Sequence, residues 1–176
     1  MSLVASLIYR RRSRVWGRVV QELLALYGVE VPAAVEVGPG LTVFHRGFGL
    51  VMHPYTTLGR DVVLYNGVTI GRADPWVPQE RSPMERVVIE DGAVICAGAR
   101  ILCKRGVLTV GRGTIVGANA VLTQSTGPDE IWAGVPARRV GTRTAVPPQD
   151  SSARSSDRAT SEARASSKGR PSGSVR

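Results

Sequence analysis

Residues 52–71, MHPYTTLGRDVVLYNGVTIG, set Met52, Leu58, Leu64 and Ile70 six positions apart. The same step links Val31, Val37 and Val43, then Ile89, Ile95 and Ile101, then Val110, Val116 and Leu122. A glycine often follows the aliphatic directly, as at Gly38, Gly59, Gly71, Gly111 and Gly117. A period of six fits neither an α-helix nor an alternating strand. It fits a solenoid of triangular section, in which each hexad makes one flat side and one corner and three hexads make a coil. The aliphatic points inward and stacks on its equivalent one coil away. The glycine beside it is expected to let the chain turn the corner, and Ala97, Ala99, Ala118 and Ala120 to fill further inward places.

The period breaks in three places. Val43 to Met52 is a step of nine, which puts three extra residues near His45 and Arg46. Ile70 to Ile89 is a step of nineteen and leaves an external loop over Ala73 to Val87. Ile101 to Val110 is again nine and contains Cys103, Lys104, Arg105 and Gly106. Rigid stacked coils are committed to packing, so function is expected in such insertions.

Composition agrees with this architecture. Of 176 residues, 43% are hydrophobic but only 5% aromatic, and 20 are glycine, which favours small turns and branched aliphatics over packed rings. The net charge of +9 divides into +4 from Thr142 onward and +5 before it, much of the latter in Arg10, Arg11, Arg12, Arg14 and Arg18. No basic stretch is interleaved with stacking aromatics, so nucleic acid is not expected as a partner. Two cysteines, Cys96 and Cys103, form no disulfide framework and suit a reducing compartment. No apolar run approaches a membrane span, and the N-terminus lacks the apolar core and cleavage site of a secretion signal, so a cytoplasmic location is expected.

Three regions follow. Residues 1–28 read as a helical segment, with Val15, Val19, Leu23 and Leu26 on one stripe widened by Trp16, Val20 and Leu24, and Gly28 as its stop. This basic, amphipathic segment either attaches to a membrane surface or caps the open end of the repeat array; the cap reading is preferred, because an array needs its end covered. Residues 29–141 form the repeat domain. Residues 142–176 are Ser-, Arg-, Ala-, Pro- and Gly-rich and are expected to be a disordered tail.

GPGLTVFHRGFGLVMHP at 38–54, GRDVVLYNGVTIG at 59–71, EDGAVICAGARIL at 90–102, and VGRGTIVGANAVL with WAGVPARRVG within 110–141 together resemble the hexapeptide-repeat acyltransferases, in particular their serine acetyltransferase branch. The resemblance implies an all-β, left-handed parallel β-helix that assembles as a homotrimer. Acetyl-CoA would lie in the groove between neighbouring β-helices as co-substrate, with no metal and a small hydroxyl acceptor. It makes His45 the catalytic histidine. It places Glu30, where an aspartate is usual, fifteen positions earlier as the partner carboxylate. It assigns Ala97 and Ala118 to backbone contacts with coenzyme A. Two departures leave the acceptor open between serine and a sugar hydroxyl. Phe44 stands where the serine enzymes carry an aspartate, and Glu85-Arg86 stands where they carry an Arg-His pair. The large N-terminal helical domain of those enzymes is also reduced here.

The chemistry suits the residues. A hydroxyl is a poor nucleophile near neutral pH and needs a base within hydrogen-bond reach. Imidazole is matched to that task and contributes ~10²–10⁴-fold. Glu30 would fix the imidazole tautomer and stabilise the imidazolium, and backbone N–H groups would hold the oxyanion. His53 is the rival histidine, but its place between Met52 and Pro54 suits a turn. The loop from Ala73 to Val87, with Asp74, Trp76, Glu80 and Arg81, reads either as a lid over the acceptor and coenzyme A or as a brace between subunits. Lys104 and Arg105 read either as contacts for coenzyme A phosphates or as a solvated turn, and the solvated turn is preferred. A zinc carbonic anhydrase on such a fold needs three histidine ligands, and the chain has two histidines. A non-catalytic trimeric scaffold remains as the third alternative.

Overall fold

The computed structural model describes residues 2–13 and 15–144. Of the expected C-terminal tail, 145–176 lies outside the described residues. The chain opens with helices α1 (Leu3–Arg10) and α2 (Gly17–Leu26). Four coils follow: β1 (Glu36–Val37), β2 (Thr42–Val43) and β3 (Val51–Met52), then β4 (Thr56–Leu58), β5 (Val63–Leu64) and β6 (Thr69–Arg72). The third coil comprises β7 (Met84–Ile89), β8 (Val94–Ile95) and β9 (Arg100–Cys103), and the fourth β10 (Gly106–Val110), β11 (Ile115–Val116) and β12 (Val121–Leu122). A closing hairpin, β13 (Glu130–Gly134) and β14 (Ala137–Thr142), ends the domain.

Each strand pairs in parallel with the strand one coil away, which gives three sheets: β1-β4-β7-β10, β2-β5-β8-β11-β13 and β3-β6-β9-β12, with β14 antiparallel on β13. The register is that of the hexads. Val37, Leu58, Ile89 and Val110 form one ladder. Val43, Leu64, Ile95, Val116 and Trp132 form the second, and Met52, Ile70, Ile101 and Leu122 the third. All thirteen of these ladder residues but Val37, which is half-buried at the first coil, are buried. A second inward residue comes two positions before each of them except Trp132, as in Leu41-Val62-Ala93-Thr114 and Leu50-Val68-Ala99-Ala120. Trp132 closes the far end, where its bulk covers Val116.

Three sequence expectations are corrected. Ala99 and Ala120 point inward, but Ala97 is half-buried and Ala118 exposed, because each stands at the tip of a turn. The glycines after the aliphatics do not make the turn. Gly38 has an ordinary negative-φ backbone and is small because a Cβ there would meet the Gly59 carbonyl oxygen at 2.5 Å. The left-handed turn residue comes two positions later, at Gly40, Asp61 and Gly113. The external loop is also shorter than expected. Met84 to Val87 already belong to β7, because the insertion ending at Gly106 supplies its neighbour in β10.

The N-terminal segment is two helices. Val4, Ala5, Ile8, Val20 and Leu24 are buried in the core that continues into the coils, so both helices cover its first end. Arg11, read in the sequence as part of a basic run, is buried at this junction. Its guanidinium donates to the carbonyl oxygens of Ile8, Val35 and Pro32, the last at 3.1 Å. Burial first, and the neighbouring Arg12 charge second, lower its pKa to about 10, so it remains charged near neutral pH. Among the described residues no helix is long and apolar enough to cross a membrane.

Candidate active site

The turn from the second sheet to the third takes four residues in three coils, Tyr65–Val68, Cys96–Ala99 and Gly117–Ala120. In the first coil it takes seven, Phe44–Leu50, and His45 lies in this enlarged corner. His45, Arg46 and Gly47 are all left-handed, with φ of 50°, 56° and 62°. Two successive non-glycine residues in that region carry backbone strain, a feature that clusters at functional sites. The conformation turns the chain sharply outward and leaves the His45 side chain exposed.

Backbone register places the corners in a column. Phe44 N–H donates to Leu64 O at 2.9 Å, Tyr65 N–H to Ile95 O at 3.0 Å, and Cys96 N–H to Val116 O at 2.9 Å. The residues one step on, His45, Asn66, Ala97 and Ala118, therefore follow one edge of the solenoid. The edge is tied together by Gly98 N–H on Asn66 O and Asn119 N–H on Ala97 O, both 2.9 Å. Among the described residues neither the Ala97 nor the Ala118 amide has a hydrogen-bond acceptor. An aromatic wall stands beside His45. Phe44 stacks on Tyr65 at 4.9 Å between centroids, and the Tyr65 ring lies 5.9 Å from the imidazole at a 48° tilt. Tyr65 escaped the sequence reading, although it follows Leu64 in the same hexad phase as Phe44 follows Val43. Cys96, on the same edge, has its thiol pKa raised by burial and is no thiolate nucleophile.

Glu30 meets the opposite end of the enlarged corner. Its N–H donates to Leu50 O at 2.8 Å and its carbonyl accepts from Met52 N–H at 2.9 Å. The carboxylate is exposed and forms no hydrogen bond with His45 within the chain; it lines a cleft of about 480 Å³ with Gln21, Leu24, Val29 and Val51. His45 lines none of the described cavities.

His53 has a different setting. Its Nδ1 accepts from Tyr55 N–H at 3.2 Å, so the proton sits on Nε2, which donates to Gln79 Oε1 at 3.1 Å. Gln79 lies in the external loop, so His53 pins that loop to the coil. Arg86 turns to the first sheet, where it meets Thr57 Oγ1 at 3.2 Å and Glu36 at 3.9 Å. Lys104 and Arg105 are exposed on their turn. Among the described residues no cluster of three His, Cys, Asp or Glu is placed to hold a metal ion.

No family model matches the chain. It is 30% identical over 139 residues to the serine acetyltransferase of Mycobacterium tuberculosis, covering 78% of this chain and 57% of that one. It is 28% identical over 138 residues to that of Bacillus licheniformis, covering 78% and 60%. The chain thus spans a little over half the length of the curated relatives it matches. Its fold superposes on the Brucella abortus serine acetyltransferase with coenzyme A at a TM-score of 0.63, with 26% identity, covering 79% of this chain and 52% of that one. The Vibrio cholerae serine acetyltransferase gives a TM-score of 0.63 with 28% identity, covering 78% and 50%. In sequence and in fold this chain is similar to the serine acetyltransferases, the hexapeptide-repeat acyltransferases to which its six-residue period points.

Proposed function

We propose that this chain is an acetyl-CoA-dependent O-acetyltransferase of the serine acetyltransferase type. The observation that carries the reading is the shared edge, which sets His45 at the head of a column holding the unengaged amides of Ala97 and Ala118. A relative of the same fold is described with coenzyme A bound. A ring nitrogen of His45 takes the proton of the acceptor hydroxyl as its oxygen adds to the thioester carbonyl. The tetrahedral intermediate then collapses, breaking the C–S bond, and the imidazolium returns the proton to the departing sulfur. No covalent enzyme intermediate is needed, because the thioester is already activated. Glu30 orients the imidazole once the site is assembled, and Ala97 and Ala118 hold coenzyme A through their backbones.

The reading includes residues 29–141 as the catalytic domain, left-handed winding of the coils, a homotrimer and a cytoplasmic location. The exposure of His45 outside every described cavity supports a groove completed by a second copy. A second acceptor reading, a sugar hydroxyl, is favoured by the Phe44–Tyr65 stack, which offers a flat aromatic face where an amino acid would want a charge.

The test is thiol release from acetyl-CoA by wild type and His45→Asn, with L-serine and a panel of sugars. Serine-dependent release that falls ~10²–10⁴-fold in His45→Asn supports the proposal. Release with sugars alone moves the acceptor to the second reading, and no release with any acceptor leaves a scaffold.

A further inference from the structure

An apolar patch faces solvent on α2 and the turn before it, beside the exposed polar residues Arg18, Gln21 and Glu22. Val15 and Leu26 are each 79% exposed, Trp16 63%, Val19 49% and Leu23 42%. Within α2, positions 19, 23 and 26 are spaced by four and three, which places them along one side of the helix, with Glu22 flanking Val19 and Leu26; Trp16 is the N-cap residue and Val15 stands in the turn before it. The buried residues Val20 and Leu24 occupy the adjoining side, so α2 is already docked on α1 and the shared core, and the stripe is not needed to hold it. Apolar side chains grouped in this way mark an interaction surface.

Charge selects the occupant. Arg10, Arg12 and Arg18 are exposed in the same two-helix segment, and Glu22 is the only acidic residue before Glu30. Arg11, by contrast, is used internally. A symmetric contact between two copies across this face would bring their arginines together and bury like charge. An apolar protein groove would match the stripe and leave the arginines unanswered. A lipid surface bearing anionic headgroups satisfies both, because the stripe enters the acyl boundary while the guanidinium groups stay among the phosphates. Trp16, at the start of the helix, is the residue type that settles at that boundary.

We propose that α2 docks this protein on an anionic membrane surface, with Val15, Trp16, Val19, Leu23 and Leu26 inserted and Arg10, Arg12 and Arg18 on the headgroups. Docking is peripheral and reversible and weakens with salt. It is independent of the acetyltransferase reading, since its readout is partition and not turnover.

The experiment is cosedimentation of the full chain with vesicles of phosphatidylcholine alone and with added phosphatidylglycerol. Wild type is expected to sediment with the mixed vesicles only, and less as salt rises. Arg12→Ala/Arg18→Ala is expected to weaken partition about fivefold per arginine, and Leu23→Gln/Leu26→Gln to abolish it. All four side chains are exposed, so circular dichroism of both variants should match wild type. A blue shift of tryptophan emission on binding should vanish in Trp16→Phe. Three results would overturn the proposal: no wild-type binding to the mixed vesicles, undiminished binding of Leu23→Gln/Leu26→Gln, or a changed oligomer mass of that variant by light scattering. The last would make the face a contact between copies.

Discussion

The Phe44 ring lies on the Tyr65 ring at 4.9 Å, one coil apart, and Tyr65 in turn faces His45 at 5.9 Å. The two aromatics follow inward residues Val43 and Leu64 of the same ladder, so their stacking is a consequence of coil register and not of a chance surface contact. Phe44→Ala removes half of the aromatic wall beside His45 while leaving the coil backbone unchanged. It is expected to raise the acceptor KM about three- to tenfold, the worth of one aromatic contact, and to leave the KM for acetyl-CoA as it was. Steady-state kinetics with both substrates varied checks this. An equal rise in both KM values would mean that Phe44 braces the corner and does not meet the acceptor.

Arg11 joins the helices to the first coil by donating to three backbone carbonyls from two separate segments. Arg11→Leu is expected to cost about 2–4 kcal/mol, since it removes the donor to the Ile8 and Val35 carbonyls at a buried junction, while the Pro32 carbonyl keeps the Val35 N–H. Urea unfolding followed by far-ultraviolet circular dichroism measures it. Arg12→Leu, at an exposed neighbour, should shift the midpoint little.

The repeat domain was legible because its signal is redundant. Thirteen aliphatics at six-residue steps specify three ladders, and one misread hexad would not change the answer. The corner at His45 was legible for the related reason that an insertion breaks a regular phase. The N-terminal stripe was less so. Val19, Val20, Leu23 and Leu24 are apolar over nearly half the helix circumference, and only the packing of α1 decides that Val20 and Leu24 go inside. The role of Arg11 was hidden because a buried guanidinium and a solvated one look alike in a run of arginines. Glycine after the aliphatic was visible, but not its reason, because close approach between coils leaves no mark in a single hexad.

That reason has a consequence at Gly38. An alanine Cβ there would stand 2.5 Å from the Gly59 carbonyl oxygen and 2.6 Å from its carbon, both backbone atoms with little freedom to move. Gly38→Ala is expected to destabilise by about 1–3 kcal/mol through forced separation of the first two coils. Gly71→Ala is the control, because a Cβ there meets nothing within 4 Å. Thermal unfolding of both variants should separate them, and equal losses would show that backbone freedom matters more than space.

At the far end Glu130 gathers the closing hairpin. Its carboxylate accepts from Trp132 Nε1–H and from Gly127 N–H, both at 2.8 Å, and pairs with Arg139 at 3.0 Å. The Trp132 hydrogen bond is the largest influence holding its pKa below the usual carboxylate value; burial opposes it, and the Gly127 amide and Arg139 add to the lowering. A carboxyl depressed in the folded state binds its proton more weakly there than in the unfolded chain. Its contribution is therefore complete above the unfolded pKa of about 4.3 and is lost as pH falls from there through the lower folded value. Glu130→Gln should flatten that part of the acid limb while retaining much of the geometry. Urea midpoints from neutral pH down to the acid transition, compared between wild type and variant, test this. Parallel acid limbs would assign the acid sensitivity to other carboxylates.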